Sequence, residues 1–516
     1  MHSRGHIPGN NYQLMNPTRL LQPMFSARAS QSMRAALDAS LTQNVLLAEM
    51  IAAARHTEWG RSHNYSRISG YAEFADAVAV TPYEEIRPLV MRMIRGEKDI
   101  LWPGVTRRFA QSSGTSGGKS KYVPVTPDML ADGHYRGSSL VVAHYLKNHP
   151  DSRIFSGRAL ILGGSFANEL GIDDRRLRVG DLSANLIEAI NPLANLVRTP
   201  SKRTALMADW HEKLPRLAAE VSRCKVSNLS GVPSWMLTVL REVMKIKGAS
   251  ELHEVWPGLE VFFHGGIAFG PYRSQYDSII DPSRMRYMET YNASEGFFAL
   301  QDDPDSHAMM LLMDCGVFYE FRPVDSPDAA PVTVADLRPG EIYELIITTK
   351  GGLWRYPLGD TVMVHSLAPV KITIAGRTKS FINAFGEEVM VFNTDAALAR
   401  TCAETGAVVA DYTAAPVFAD GGRKGHHQWL IEFDRAPESP DDFARRLDLN
   451  LTRENSDYQA KRSGGIFLDP LTVTAVPHGF FDRWLESTGK LGGQRKVLRL
   501  SNDRAVIESM LRLLNG

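Results

Sequence analysis

The chain has 516 residues, of which 44% are hydrophobic and 22% charged, the profile of a globular chain of two or three domains. Lys plus Arg (58) equals Asp plus Glu (58), so charge gives no reason to expect nucleic acid or an anionic membrane as a partner. Cys224, Cys315 and Cys402 are far apart, match no metal spacing and suit a reducing cytoplasm. No apolar run reaches the ~18 residues of a membrane span. Residues 1–25 lack the apolar stretch of a signal peptide and read as a poorly ordered lead-in.

In chain order, Leu37, Leu41, Val45, Leu46, Met50 and Ile51 recur at helical spacing and predict a helix over 31–56. Thr81-Pro82-Tyr83-Glu84-Glu85 opens another, with Thr81 as its cap. Gln111–Thr126, QSSGTSGGKSKYVPVT, follows. Beyond it, short apolar runs alternate with helical stretches. Strands are predicted at 159–162, 226–229, 259–264 and 285–290, and helices at 202–222 and from Ser234 to Lys247. This alternation argues an α/β fold with a mainly parallel sheet, whose ligands sit at the carboxyl ends of the strands. Residues 309–375 read as antiparallel, barrel-like strands, and a hinge is placed near Gly376–Val389. A smaller, mobile α+β unit follows, with strands at 408–412 and 428–433 and a helix from Asp441 to Glu454.

Five stretches could carry chemistry. In the first, Ser112, Ser113, Thr115 and Ser116 alternate with Gly114, Gly117 and Gly118 ahead of Lys119 and Lys121. Small residues let backbone N–H groups approach an anion, hydroxyls add donors and lysines add charge, so the loop is read as a grip for ATP phosphates. A flexible linker is the bland alternative. In Tyr291-Asn292-Ala293-Ser294-Glu295, an aromatic can stack on a purine while Ser294 and Glu295 hold phosphate oxygens and Mg²⁺. A structural tyrosine explains the motif equally well. Asp360 in Tyr356-Pro357-Leu358-Gly359-Asp360 could accept both ribose hydroxyls, although a plain Gly-Asp turn is the commoner meaning. Gly376–Glu388 and Leu491–Arg499 place basic residues beside glycines, as a pivot and a mobile lysine would need.

Taken in order, SSGTSGGKSK, YNASEG, YPLGD, GRTKSFINAFGEE and a late QRKVLR resemble the adenylate-forming enzymes. More closely, they resemble the Gretchen Hagen family of acyl-acid amido synthetases, which conjugate auxin and jasmonate to amino acids in plants and also occur in bacteria. VTPYEEIRPLVMRMIRGEKDIL, GVPSW and NSDYQAKR add to the resemblance, which runs from about residue 40 to 500. It implies an adenylation domain over 26–385 and a C-terminal lid domain over 386–516. It implies ATP and Mg²⁺, a carboxylic acid and an amino acid or other amine as partners, and a monomer.

Residue by residue, the resemblance assigns the ATP phosphates to Ser112, Ser113, Gly114, Thr115 and Ser116, with Lys121 closing the motif. Gly265 and Gly266 flank the adenine and Tyr291 stacks on it, with Asn292 and Ser294 beside it. Glu295 binds Mg²⁺, Asp360 holds the ribose, Arg377 lies on the ribose side of the hinge, and Lys496 is the late lysine. The acid is expected between Val232, Trp235, Met236 and His264, although helical spacing also suits a core role for Trp235 and Met236. Ala293, Pro357, Arg495 and Leu498 depart from the family pattern. Two alternatives remain: an acyl-CoA ligase, and a non-catalytic binder of ATP or an acyl-adenylate.

Overall fold

The computed structural model describes residues 16–112, 121–166, 170, 172, 174–266, 269–377, 381–382, 384–385, 387, 389–418, 424–462, 468–488, 497–501 and 504–515. Its strands are β1 (Arg108–Ser112), β2 (Lys121–Pro124), β3 (Arg158–Ile161), β4 (Arg178–Gly180), β5 (Arg198–Thr199), β6 (Val226–Gly231), β7 (Val261–Gly265), β8 (Arg286–Ala293), β9 (Gly296–Leu300) and β10 (Met309–Leu311). Then come β11 (Val317–Pro323), β12 (Ile342–Thr349), β13 (Tyr356–Leu367), β14 (Val370–Arg377), β15 (Phe381–Ile382), β16 (Val389–Met390), β17 (Val408–Val417), β18 (His426–Arg435) and β19 (Thr472–Val476).

One sheet of eleven strands dominates, in the order β11-β12-β13-β14-β10-β9-β8-β7-β6-β3-β5. From β5 to β8 the pairings are parallel. From β8 to β11 they are antiparallel. The parallel half is covered on both faces, as crossover helices require. In β7 the alternation is direct. Phe262 joins an apolar cluster with Leu217, Leu240 and Tyr276, from the helices Trp210–Val221, Pro233–Lys247 and Gly270–Asp277. Val261 and Phe263 join the opposite cluster with Leu140 and Val141, from the helix Arg136–Asn148. The antiparallel strands expected over 309–375 are present, but as an extension of this same sheet with β11 at its edge, rather than as a separate barrel-like part.

A second sheet, β2-β1-β4, carries the Ser/Gly loop. β1 and β2 pair antiparallel, with Ser112 opposite Lys121, and residues 113–120 between them lie outside the described residues. The smaller C-terminal unit is built on β17-β18-β19. Ile382 of β15 and Val389 of β16 share its core with Trp429, Phe443 and Leu447.

Several expectations shift. Residues 17–25, assigned to the lead-in, belong to a helix, Pro17–Leu37, which buries Phe25. The helix predicted over 31–56 is two helices broken at Asp38, whose ψ of 41° leaves the helical range. Leu37, Leu41 and Val45 consequently face outward, while Leu46, Met50 and Ile51 are buried. The helix after Thr81 starts at Tyr83 with Pro82 at its cap position, and the Thr81 hydroxyl instead bonds the carbonyl of Ala79. The stretch 202–222 contains two helices, Lys202–Ala205 and Trp210–Val221. Val232, not Ser234, takes the cap position of the helix Pro233–Lys247, because Pro233 occupies its first turn.

Candidate active site

The hairpin β8–β9 sets the first functional group. Ala293 pairs with Gly296, so Ser294 and Glu295 are the two residues of the turn. The tip is tucked in, and Glu295 is only 8% exposed. Its charge acts on the phenols of Tyr83 and Tyr356. Burial, the larger cause, raises Tyr83 to about 12 and pushes Tyr356 well above the usual tyrosine value.

Lys121, the first residue of β2, enters the same space. Its ammonium donates to the Tyr356 hydroxyl at 3.1 Å. It lies 5.5 Å from the centroid of the Tyr83 ring and 5.7 Å from that of Tyr356, within cation–π range of both. Tyr83 is tied to the same strand: its hydroxyl accepts from the Tyr122 N–H at 2.6 Å and donates to the Tyr122 carbonyl at 3.2 Å.

Asp360 of β13 accepts from the Tyr291 hydroxyl at 2.6 Å. The Tyr291 ring, itself buried, packs on Phe298 with centroids 4.9 Å apart. Across the next ladder Asp360 pairs with Arg377, so residues remote in sequence meet on neighbouring strands. The start of β13 is fixed by Arg355. Its backbone is left-handed (φ 45°), and its guanidinium bonds both oxygens of Glu320 and the carbonyls of Ala75 and Val78. At the end of β7, Gly265 is required by close approach. A Cβ there would lie 2.3 Å from the Thr290 carbonyl oxygen. Gly266 follows with φ 83°, a backbone that favours glycine.

Of the expected acid-binding residues, His264 lies on β7, Val232 caps the helix Pro233–Lys247, and Trp235 and Met236 are in its first turn. His264 stacks on Phe269 with centroids 4.3 Å apart, and burial lowers its imidazole to about 3, which keeps it neutral. Its Nδ1 has no hydrogen-bond partner among the described residues. Glu289, in register with His264 on β8, is raised to about 7 by burial. Two residues earlier along the strands the same face carries Phe262 and Tyr287, so it turns from apolar to polar toward the carboxyl ends. Trp235 meets Trp210 edge-on at 4.7 Å, while Met236 is fully buried with Leu217 and Leu240, the core role left open for it by helical spacing. Lys213 donates to the carbonyl of Gly163 at 2.5 Å, beyond the end of β3, and burial lowers it to about 8.

The structure therefore brings Lys121, Tyr291, Ser294, Glu295 and Asp360 to one region. Ser113, Gly114, Thr115, Ser116 and Lys496 lie outside the described residues, as do the side chains of Ser112 and Arg377. Tyr83 and Tyr356 border this region, Lys213 meets the end of β3 and Glu289 pairs with His264, and none of the four is singled out by the sequence. Only the first two had a visible signal, since each stands inside a motif, YEE or YPLGD. No three His, Cys, Asp or Glu side chains converge on a metal-sized point among the described residues. Glu295 is a single carboxylate, which fits magnesium carried in by a nucleotide, because such ions take one or two carboxylates plus phosphate oxygens.

The chain resembles known proteins in sequence and in fold. The GH3 family N-terminal domain matches residues 30–285, its central domain 310–377 and its C-terminal domain 392–505. The probable indole-3-acetic acid-amido synthetase GH3.1 of Arabidopsis thaliana is 24% identical, over 91% of this chain and 90% of its own length. Among solved structures, the GH3.15 acyl acid amido synthetase in complex with 2,4-DB superposes with a TM-score of 0.77 at 17% identity, covering 99% of this chain and 97% of the other. A 2-hydroxyisobutyryl-CoA ligase in its postadenylation state gives a TM-score of 0.54 at 12% identity, over 100% and 98% of the two chains. These likenesses establish the fold, and the three successive domain matches, spanning most of the sequence in the family's own order, establish that the chain belongs to the GH3 family.

Proposed function

We propose that the protein is an ATP-dependent acyl-acid amido synthetase, joining a carboxylic acid to an amino acid or other amine through an acyl-adenylate. The observation that carries this reading is the meeting of Lys121, Glu295, Tyr291 and Asp360 at the base of the β1–β2 loop, in a chain of the GH3 family. A carboxylate oxygen attacks the α-phosphorus of ATP, the bond to the β-phosphate oxygen breaks and pyrophosphate leaves. An amine then attacks the acyl carbon, forms the amide and releases AMP. Lys121 and the hairpin-loop donors offset charge on the phosphates, Tyr291 and the Gly265-Gly266 turn hold the adenine, and Asp360 holds the ribose. Magnesium, held by Glu295 with the nucleotide, would supply further charge neutralisation on the phosphates. Lys496 is the lysine that the C-terminal unit brings to the reacting groups. No covalent enzyme intermediate is required.

The acid lies against Val232, Trp235 and His264. The small unit turns about the hinge near residues 376–390, and the packing of Ile382 and Val389 into the C-terminal core supports counting the β15–β16 hairpin with that unit. The protein acts as a monomer in the cytoplasm, which its free cysteines fit. The test is ATP–pyrophosphate exchange over aryl, indolyl and aliphatic acids, with hydroxylamine, amino acids and coenzyme A as competing acceptors. Acid-dependent exchange followed by amide formation is the expected result. A thioester formed in preference to the amide, or nucleotide binding without exchange for any acid, overturns the assignment.

A further inference from the structure

The functional reading leaves Tyr83 and Tyr356 without a role, although both are almost wholly buried, at 4% and 1% exposure, beside the proposed phosphate site. They come from distant parts of the chain, the helix Tyr83–Ile94 and the first residue of β13. A long lysine side chain at the start of a strand has many rotamers, and fixing it costs side-chain entropy. Here that freedom is removed in advance. The Tyr356 hydroxyl gives the ammonium one directional acceptor at 3.1 Å, and two ring faces bound it at 5.5 and 5.7 Å. Neither tyrosine offers a competing carboxylate, so the charge of Lys121 is held without being neutralised by them. Tyr83 also fixes the strand that bears the lysine, through its paired bonds to the N–H and carbonyl of Tyr122. Arg355, locked to Glu320, Ala75 and Val78, fixes the backbone from which Tyr356 projects.

We propose that Tyr356 and Tyr83 are positioning residues that form an aromatic cage around Lys121 and aim its ammonium at the phosphates of ATP. This rests on the reading of Lys121 as a phosphate-binding lysine. The cage works by preorganisation: the lysine is in place before the nucleotide arrives, so its charge acts on the leaving pyrophosphate without a rearrangement at the moment of reaction. Packing alone would also explain two buried tyrosines, and the two roles differ in one respect. A positioning residue acts through Lys121, whereas a packing residue acts whether or not the lysine is present.

A double-mutant cycle separates them, read by equilibrium binding of a non-hydrolysable ATP analogue to the full-length protein and by acid-dependent pyrophosphate exchange. Tyr356→Phe keeps the ring and removes the acceptor. It is expected to weaken analogue binding by about tenfold, the scale of one charge-assisted hydrogen bond. Lys121→Ala is expected to weaken binding by about tenfold or more on the same scale. Adding Tyr356→Phe to Lys121→Ala is expected to change binding by less than about twofold, because the partner is gone. Tyr83→Phe, which frees the base of β2, is expected to lower the exchange rate in the wild-type background and to be silent with Lys121→Ala. Thermal unfolding of each variant verifies the fold. If Lys121→Ala leaves binding and exchange intact, the reading of Lys121 fails. If Lys121→Ala is impaired but Tyr356→Phe weakens binding by the same factor with and without the lysine, the cage alone fails.

Discussion

Asp360 illustrates how much one hydrogen bond decides in this site. The carboxylate is 5% exposed and accepts from the Tyr291 hydroxyl at 2.6 Å, so its orientation is set before any ligand binds. One oxygen accepts from the tyrosine, and an ionised carboxylate has about four acceptor sites in all. Removing a donor from a buried carboxylate costs about 1.5–3 kcal/mol. Tyr291→Phe therefore keeps the ring on Phe298 and is expected to raise KM for ATP by about tenfold, with a small fall in Tm. The ribose assignment is separable from the adenine assignment by comparing ATP with 2′-deoxy-ATP in pyrophosphate exchange. The wild-type protein is expected to favour ATP, Asp360→Asn to lose most of that preference, and Tyr291→Phe to reduce it. An undiminished preference in Asp360→Asn would refute the role of Asp360.

At the level of elements, the site is a consequence of where the sheet changes direction. β8 is the last parallel strand, and its hairpin to β9 starts the antiparallel half, so Tyr291 and Glu295 stand at the boundary between the two. Gly265 ends β7 against the carbonyl of Thr290, and any side chain would drive the two strands apart there. Gly265→Ala is expected to cost about 1–3 kcal/mol by overpacking, measured by urea unfolding, and to lower nucleotide affinity. A variant of unchanged stability would show that β7 and β8 can separate at that level.

Part of this was legible in the sequence. The β7 and β8 positions follow from runs such as Val261-Phe262-Phe263, and the motif order gave the family. What could not be read is lateral. That β8 turns back on itself, that Tyr291 reaches Asp360 across 69 positions, and that Tyr83 and Tyr356 converge on Lys121 are facts of strand order and register. Periodicity carries no information on them. It also overran the first helix, because Asp38 breaks the backbone without breaking the apolar spacing.

For the molecule as a whole, the question is what holds the C-terminal unit where it is. The helix Gly270–Asp277, which follows the Gly265-Gly266 turn, meets that unit through Tyr272, whose hydroxyl donates to the Ala410 carbonyl at 3.2 Å and is also bonded by Arg499. Arg499 pairs with Asp411 at 2.7 Å and covers the Tyr412 ring at 4.4 Å, and Tyr412 in turn donates to Asp395 at 2.7 Å. The segment carrying Arg499 is pinned along β17 by backbone bonds between Arg499, Ser501 and Ala414. One cation thus serves two carboxyls, Asp395 and Asp411, that burial holds above the usual aspartate range. Arg499→Met leaves both carboxyls in a buried site without it, at a cost of about 3–5 kcal/mol for a broken buried pair. Because raised carboxyl values bind protons more tightly in the folded state, that cost is smallest at acid pH and grows as pH rises through their titration. Denaturant unfolding of this variant is expected to approach wild type as the pH is lowered through the titration of these carboxyls and to fall well below it once they are ionised; a pH-independent deficit would mean that the arginine acts by packing alone. Tyr272→Phe removes the hydroxyl's bonds to Ala410 and Arg499 and leaves the Arg499–Asp411 pair in place. Its unfolding is expected to match wild type within about 2 kcal/mol, the net worth of two hydrogen bonds. If this contact fixes the orientation that serves one half-reaction, pyrophosphate exchange and amide formation from isolated acyl-adenylate will change by different factors, separated by about fivefold or more, the population shift that about 1 kcal/mol produces. Equal changes in the two rates would show that the contact stabilises the chain without selecting between its working states.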